Sequence, residues 1–551
     1  MKLAAFHSGM LPERLDRPSI GAVEDPTGLA SGALVYRARL APGDRRQFAL
    51  GLGKPGTRGF TLADAERLEG AAAAQWRQRL GAVQLRGPPA AQPTFATLRS
   101  ALAQMLMSRD GAALRPGSRA YARSWIRDGA MMSDGLLRLG ETRAAGDFLA
   151  WYAPFQYPNG KVPCCVDPRG ADPVPEHDSD GEFIHLVAQL HRYAPDEERS
   201  RSMWPRVRAA AAHIETLRRQ TMVPANRTTD RAHFYGLLPP SISHEGYSAK
   251  PMHSYWDDFW ALGGLRDGAW LAAELGMAAE AGALTSRADA FEADIIASIS
   301  KATKRHEIAF IPGSADLGDF DATSTTVALS IAGVQSDLPP EALRATFQRY
   351  WDEVAARRDG RKAWDVYTPY EWRNVGAFVR LGWRDRANAL SDFLMKDRRP
   401  AKWNQWAEVV GRNAREPRFL GDMPHGWVAS DFINAALDML AYERQRDDAL
   451  VLAAGVPQSW IEGEGLSVDG LRTPHGELAY TLRRVGDRIH LTYSLSGKPP
   501  AGGLVLAAPA GDGERRLKGS RGRLDLPFEA AGGASSAADA RSISTSRRPG
   551  E

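Results

Sequence analysis

Residues 253–260 read HSYWDDFW, and the chain runs on through FWALGGLRDGAWLAAELG to position 276. An acidic, aromatic-rich loop passes straight into a helix-period segment crowded with Gly, Ala, Phe and Trp. The same event recurs at 124–132 (SWIRDGAMM), 175–184 (PEHDSDGEFI), 318–323 (GDFDAT), 367–375 (YTPYEWRNV) and 424–432 (PHGWVASDF). One further helical stretch lies between consecutive members. That alternation is the pattern of a barrel of helical hairpins, in which the loops before alternate helices open at one end.

Working outward, apolar residues recur at the helical period from about 93 to 445, and the spacing predicts twelve helices. They fall at 94–109, 128–139, 142–156, 180–193, 197–221, 255–275, 277–300, 321–331, 340–358, 371–381, 384–398 and 425–444. Asp321 and the Pro339-Pro340-Glu341 run supply N-terminal chemistry for two of them. The even members carry more Gly, Ala, Phe and Trp, as in FWALGGLRDGAWLAAELG, and suit a crowded inner ring. The odd ones, such as ATFQRYWDEVAARRDG, are charged on one face and suit an outer ring. The fold expected is mainly α: an (α/α)6 barrel over 93–450.

The flanks change period. Residues 1–60 alternate between Gly/Pro turns, and SGALVYRARLAPGDRRQFALGLG (31–53) reads as two strands joined at APGD, an N-terminal β segment too short for a complete sandwich. Residues 61–92 are Ala-rich and read as a helical linker. From 451 to 530, alternating runs with TPHGE and VGD turns predict a small antiparallel β domain. The tail at 531–551 is rich in Ala, Ser and Gly, lacks apolar anchors and reads as disordered.

Composition narrows the function. A net charge of +4 from 70 basic and 66 acidic residues, with the signs interspersed, offers no basic stripe for a phosphate backbone, which argues against a nucleic-acid partner. The sequence has no apolar run of about 18 residues, the length expected of a membrane-spanning helix. The N-terminal MKLAAFHSGMLPERLD lacks the apolar core of a signal peptide, so the default location is cytoplasmic, subject to any export signal upstream of this sequence. Cys164 and Cys165, the only two cysteines, are adjacent; they imply no disulfide framework, fit no zinc-ligand spacing, and read as buried or pocket-lining thiols. The 15 tryptophans gather near the acidic loops, where about half read as core and the rest as faces for sugar rings.

Four constellations carry chemistry. Trp125-Ile126-Arg127-Asp128 sets a donor beside an acceptor at a helix start, able to hold two adjacent sugar hydroxyls. Glu176-His177-Asp178-Ser179-Asp180 begins like a calcium loop but lacks the twelfth-position Glu, so Asp178 and Asp180 read as sugar-hydroxyl contacts or as helix N-terminal charge, and no metal is expected. Trp256-Asp257-Asp258-Phe259-Trp260 pairs two carboxyls between aromatics, which raises one pKa as a general acid requires. Its spacing is not that of a magnesium-binding Asp cluster. Glu408 sits among large apolar neighbours (NQWAEVV) before the last helix. Glu371, Trp372, Trp406 and His425 add further acid and aromatic loop positions.

At these residues the chain resembles the six-hairpin glycoside hydrolases, most closely glucoamylases with their trehalase and processing-glucosidase relatives. The likeness covers about 93–445 by layout and only short motifs by letter. Trp125, Arg127 and Asp128 match the Trp-x-Arg-Asp loop that holds the terminal sugar in glucoamylases. Trp256-Asp257-Asp258 stands in the place of a Trp-Glu-Glu loop, which implies Asp257 as general acid; Asp replaces Glu, as in the trehalases and processing glucosidases. Ala407-Glu408 matches a late Ala-Glu-Gln loop and implies Glu408 as general base, with Val409 in place of Gln.

The function expected is therefore exo-acting, inverting hydrolysis of a glycoside, with Asp257 as acid, Glu408 as base, Trp125, Trp256, Trp260, Trp372 and Trp406 as walls, and no cofactor. The rivals are a phosphorylase on the same barrel, a non-catalytic glycan binder, and an epimerase or lyase built on His177, His244, His253 and His425. Oligomeric state is not legible.

Overall fold

The computed structural model describes residues 24, 26, 35–51, 60–414, 416, 419–509 and 513–528. The chain divides into two compact units, 1–78 and 79–551.

In the first unit the chain turns at Ala41–Asp44, where the Asp44 N–H donates to the Ala41 carbonyl at 3.0 Å, and the rings of Tyr36 and Phe48 meet with centroids 4.4 Å apart. The turn expected from APGD is there, but no strand forms among the described residues of 31–53, a correction to the expected β segment. A lone two-stranded ribbon is marginal in water without further strands or a packed face. Helix α1 (Leu62–Leu80) starts at a reciprocal cap: the Thr61 and Asp64 side chains each accept the other's backbone N–H at 3.1 Å.

The second unit opens with a departure from the expected linker. Gln84–Arg86 is a strand, β1, paired antiparallel with Leu466–Thr473 (β9). Five short strands lie in the loops between helices: β2 (Ser124–Trp125), β3 (Cys165–Asp167), β4 (Gly170–Ala171), β5 (Val366–Tyr367) and β6 (Val410–Gly411). Twelve helices follow: α2 (Gln92–Met107), α3 (Ile126–Arg138), α4 (Thr142–Tyr152), α5 (Ser179–Tyr193), α6 (Glu197–Thr221), α7 (Tyr255–Glu274), α8 (Ala278–Arg305), α9 (Ala322–Ser330), α10 (Pro340–Arg358), α11 (Trp372–Arg380), α12 (Arg384–Met395) and α13 (Gly426–Leu440). Each expected helix is matched by one of these. Helices α3, α5, α7, α9, α11 and α13 pack each on the next, and α13 packs back on α3, closing a ring. The other six lie against members of that ring. Composition explains the sorting. α7 is apolar all round and buried almost throughout, whereas α10 buries Leu343, Phe347, Tyr350 and Val354 on one stripe. Small residues let the inner helices close: a Cβ at Gly264 would lie 2.6 Å from the Gly181 Cα.

α13 stops at Leu440 and the chain continues as strand β7 (Ala441–Arg444), paired with β8 (Ala449–Leu452), so the expected helix over 425–444 ends in a strand. Pairing with a neighbouring strand overrides the local helical period. β8 joins β12 (Leu504–Ala507) in parallel and β13 (Glu514–Arg516) completes a sheet ordered β13-β12-β8-β7. The other sheet is antiparallel, β1-β9-β10-β11-β14, with β10 at Gly476–Val485, β11 at Arg488–Leu495 and β14 at Arg521–Pro527. Its hairpin at Gly486-Asp487 has Gly486 at φ +60°, the left-handed conformation a two-residue turn requires. Alternate residues Leu478, Tyr480 and Leu482 are buried, as the period of two predicted. The β part thus begins before 451 and is not purely antiparallel. The tail at 531–551 lies outside the described residues. Among the described residues, no helix is long and apolar enough to cross a membrane.

Candidate active site

The six inner helices start at the ends of the acidic loops, and these loops bring together a cluster of carboxyls and aromatic rings. Arg127, in the first turn of α3, donates through Nη1 to Glu176 Oε2 at 2.6 Å and lies 3.4 Å from Asp178 Oδ2. Trp256 Nε1 donates to the same Asp178 oxygen at 2.8 Å. One buried guanidinium thus faces Glu176 and Asp178, with its own neighbour Asp128 at 3.9 Å. Burial pushes the Glu176 carboxyl up, against the pull of Arg127, and lifts Glu182 behind it well above the carboxylate range. Burial also lifts Asp128 to about 7, against Arg127 and with help from Glu245 and Glu408. Fewer positive charges than carboxyls in a dry site means that the cluster retains protons near neutrality.

Glu408 faces this cluster from the segment before α13. Tyr370 Oη donates to its Oε1 at 3.0 Å and Tyr121 Oη donates to its Oε2. Burial raises its pKa and the two phenols oppose the rise. The Tyr121 loop is pinned by Asp422, which accepts the N–H groups of Arg119, Ala120 and Tyr121 at 2.9–3.1 Å. Gly421, at φ +65°, passes so close that a Cβ there would lie 2.1 Å from Glu408 Oε2. The walls are aromatic. Trp427 has its centroid 4.2 Å from Tyr370 and 6.4 Å from Trp256, and Arg127 lies 4.8 Å over its ring. Tyr121 meets Trp125 and His425 edge-on at 5.7 and 5.2 Å. His425 accepts the Val428 N–H as the cap of α13, and burial depresses its pKa to about 3, so it is neutral.

The long connection before α7 completes the site. Ser243 and Glu245 both adopt left-handed backbone, at φ 54° and 67°, a strained state for non-glycine residues. The loop is held from behind. Ser241 donates to Asp257 Oδ2 and Ser243 donates to Asp257 Oδ1 at 2.9 Å; the His244 ring meets Trp256 at 4.8 Å; Tyr247 donates to Asp319 at 2.9 Å. Glu245 is left exposed, within electrostatic range of Asp128, Glu176, Glu408 and Tyr121.

Of the residues expected from sequence, the structure gathers Trp125, Arg127, Asp128, Asp178, Trp256, Glu408 and His425. The others it places around that cluster. Asp257 is 1% exposed with both oxygens taken by serines, and burial, then Asp178, raises its pKa. Asp258 accepts the Leu238 N–H at 2.9 Å in the core. Asp180 accepts the Val162 N–H at 2.8 Å and pairs with His213 at 2.6 Å, facing α6. Glu371 accepts Arg357 at 2.9 Å and Tyr350 at 2.5 Å, facing α10. Trp372 and Trp406 pack on each other and on Phe432 as core, and Trp260 lies against His185 one turn deeper. At a helix start a step of one residue turns a side chain by about 100°, so Asp180 and Glu371 point to the outer ring and Asp258, Trp260, Trp372 and Trp406 to the core, while Asp257 stays within electrostatic range of Asp178 under the Ser241–Ser243 loop.

Sequence reading passed over Glu245, Tyr121, Tyr370 as a partner of Glu408, and Trp427. For Glu245 a signal existed: residues 222–254 form a long connection without an α-helix, and such connections are commonly functional. Among the described residues, one group offers metal-ligand atoms within 4.8 Å of one another: Cys164, Cys165 and Asp172, beside Trp125. The cysteines are buried thiols, as expected.

No family model matches the chain, and no curated protein does. Solved structures do. The α-L-rhamnosidase of Dictyoglumus thermophilum aligns with a TM-score of 0.51 at 11% identity, over 81% of this chain and 49% of that one. A GH78-family rhamnosidase of Bacillus sp. GL1 aligns with a TM-score of 0.52 at 13% identity, over 78% and 43%. The chain therefore spans about half the length of these two proteins. At such identities the likeness is one of fold: a helical barrel carrying β structure, of the kind seen in these glycosidases.

Proposed function

We propose that the protein is a glycoside hydrolase, an (α/α)6 barrel that releases a terminal sugar with inversion. The observation that carries this reading is Glu408, bracketed by two phenols and within electrostatic range of Asp128 and Glu245, beside the rings of Trp427, Trp256 and Tyr370. Aromatic faces suit the apolar side of a sugar ring, and carboxyls suit its hydroxyls. Glu408, ionised, takes a proton from the attacking water. The acid role assigned to Asp257 moves to Glu245, which stands on the exposed side of the cluster, where a leaving group would depart. Asp257 becomes a positioning residue, since it holds the two serines that carry the Glu245 loop. Asp128, fixed at the start of α3, accepts hydroxyls at the closed end, which favours exo action. The similar rhamnosidases make 6-deoxyhexosides a natural first substrate class.

The test is a panel of aryl glycosides, with the product anomer followed by NMR. Inversion needs two carboxyls roughly 6.5–9.5 Å apart, whereas retention needs about 5 Å. Glu408→Ala should lose turnover and regain part of it with azide. Retained product, or no hydrolysis anywhere on a panel that includes α-L-rhamnosides, would overturn the reading.

A further inference from the structure

The two cysteines of the chain, Cys164 and Cys165, bring their sulfurs into contact, with Sγ 2.9 Å from Sγ. Extended backbone alone does not do this, because neighbouring residues of a strand point to opposite faces. Cys165 opens β3 opposite Trp125 of β2, while Cys164 sits at a bend just before the strand, which lets its side chain turn to the same side. The backbone on either side is pinned: the Ile126 N–H donates to the Cys164 carbonyl at 3.0 Å and the Asp172 N–H to the Cys165 carbonyl at 2.9 Å.

Their neighbours leave the sulfurs to each other. The carboxyl beside them, Asp172, has both oxygens taken: Arg123 Nη2 donates to Oδ2 at 3.1 Å and the Val174 N–H donates to Oδ1 at 3.1 Å. Arg123 lies within electrostatic range of Cys165, and Lys161, Asp172 and Glu176 within range of Cys164. The hydrogen bond to Cys165, and then burial, push the Cys164 thiol up, so Cys164 keeps its proton while Cys165 has the guanidinium that favours a reacting thiolate. The hydrophobic residues packed against the pair, Tyr121 and Val174, are only partly buried, so a reagent little larger than water reaches it through local opening. Disulfide sulfurs stand about 2.0 Å apart, so under about 1 Å of further approach would join these two. Adjacent Cα atoms are about 3.8 Å apart, whereas a relaxed disulfide takes about 4.4–6.8 Å, so the bond would be strained and readily reduced.

We propose that Cys164 and Cys165 are a reversible redox modification site, a dithiol that hydrogen peroxide closes to a vicinal disulfide. The Cys165 sulfur attacks one peroxide oxygen, the O–O bond breaks, and the Cys165 proton leaves with the departing oxygen as water, which makes Cys165 a sulfenic acid. The Cys164 sulfur then attacks the Cys165 sulfur, the S–O bond breaks, and the Cys164 proton leaves with the hydroxide as a second water. Together the sulfurs lose two electrons and the peroxide gains them. An external dithiol restores both thiols by exchange. Tyr121 and Trp125 pack on the sulfurs, and the Tyr121 phenol donates to Glu408, so closing the bond alters the support of a Glu408 partner. The site stands whether or not the carboxyl cluster hydrolyses glycosides.

The experiment treats the folded, full-length protein with hydrogen peroxide, removes the excess with catalase, and blocks the remaining thiols with iodoacetamide in denaturant. Mass spectrometry then follows the tryptic peptide 162–169 (VPCCVDPR), which holds both cysteines and no methionine. The peptide should lose two hydrogens, take up no iodoacetamide, and recover both thiols with dithiothreitol. Two alkylated thiols after peroxide, or sulfinic or sulfonic acid in place of the bond, would overturn the proposal. Cys164→Ala leaves Cys165 without its partner and should yield a sulfenic acid at 165 that dimedone traps; no adduct there would overturn the assigned order of attack. Amide exchange over residues 119–125 should differ between the dithiol and disulfide forms, and identical exchange would overturn the link to Tyr121.

Discussion

Replacing Tyr370 by Phe removes one hydroxyl and leaves the ring tilted against Trp427 at 4.2 Å, so it isolates the bond to Glu408. Burial raises the Glu408 pKa, and the phenols of Tyr121 and Tyr370 hold it down. A hydrogen bond to a charged group contributes about 1.5–3 kcal/mol, and one pH unit corresponds to about 1.4 kcal/mol. Glu408 is only partly buried, so the lower end applies: losing one phenol should raise its pKa by about one unit. The sign follows from the base role. A higher pKa means that the carboxylate is protonated over more of the acid range, so activity is lost there and regained as pH rises. The acid limb of the kcat/KM profile on an activated aryl glycoside should move up by about one pH unit in Tyr370→Phe. In the double variant with Tyr121→Phe it should move by about two, with the plateau largely kept. A uniform loss at every pH, with the limb unmoved, would refute the idea that these phenols tune a base at Glu408.

Three other perturbations separate the remaining roles. Asp257→Asn should lower turnover equally on good and poor leaving groups because it releases the Ser241–Ser243 loop, whereas Glu245→Gln should lose roughly 10²-fold or more on poor ones only; the reverse pattern would return the acid role to Asp257. Gly421→Ala should cut kcat/KM at least about tenfold and lower stability by about 1–2 kcal/mol, since its Cβ would meet Glu408 at 2.1 Å in a left-handed backbone; a thermal melt and rates equal to wild type would show that Glu408 tolerates displacement. Burial raises Asp258 to about 8, so between about pH 4 and 8 the unfolded chain ionises and the folded chain does not, and stability falls across that window. Asp258→Asn should remove that slope, on the order of several kcal/mol by pH 8 in denaturant titrations; an unchanged slope would mean that Asp258 is already ionised in the fold.

The helices were legible because burial on one face imprints a local period that survives in the sequence whatever the partner. This is why α2 through α13 fall where apolar spacing places them, and why Gly486 marks its hairpin. The carboxyl cluster was legible in part for the same reason: Arg127, Asp128, Asp178 and Trp256 sit at or just before inner-helix starts, and the start of a helix determines where its first turn points. Long-range contacts decided the rest. Tyr121 reaches Glu408 across 287 positions, β1 pairs with a strand late in the chain, and Ala441–Arg444 leaves its helix to join a sheet. Which of two adjacent acids faces a loop and which a core, or that Glu245 rather than Asp257 stands exposed, depends on serine hydroxyls and left-handed backbone in a connection without α-helix. Periodicity carries no record of such contacts. The sequence determined the ring of helices and the end at which the acidic loops gather; the tertiary structure alone decided which carboxyls meet there, because loop side chains are aimed by partners distant in the chain.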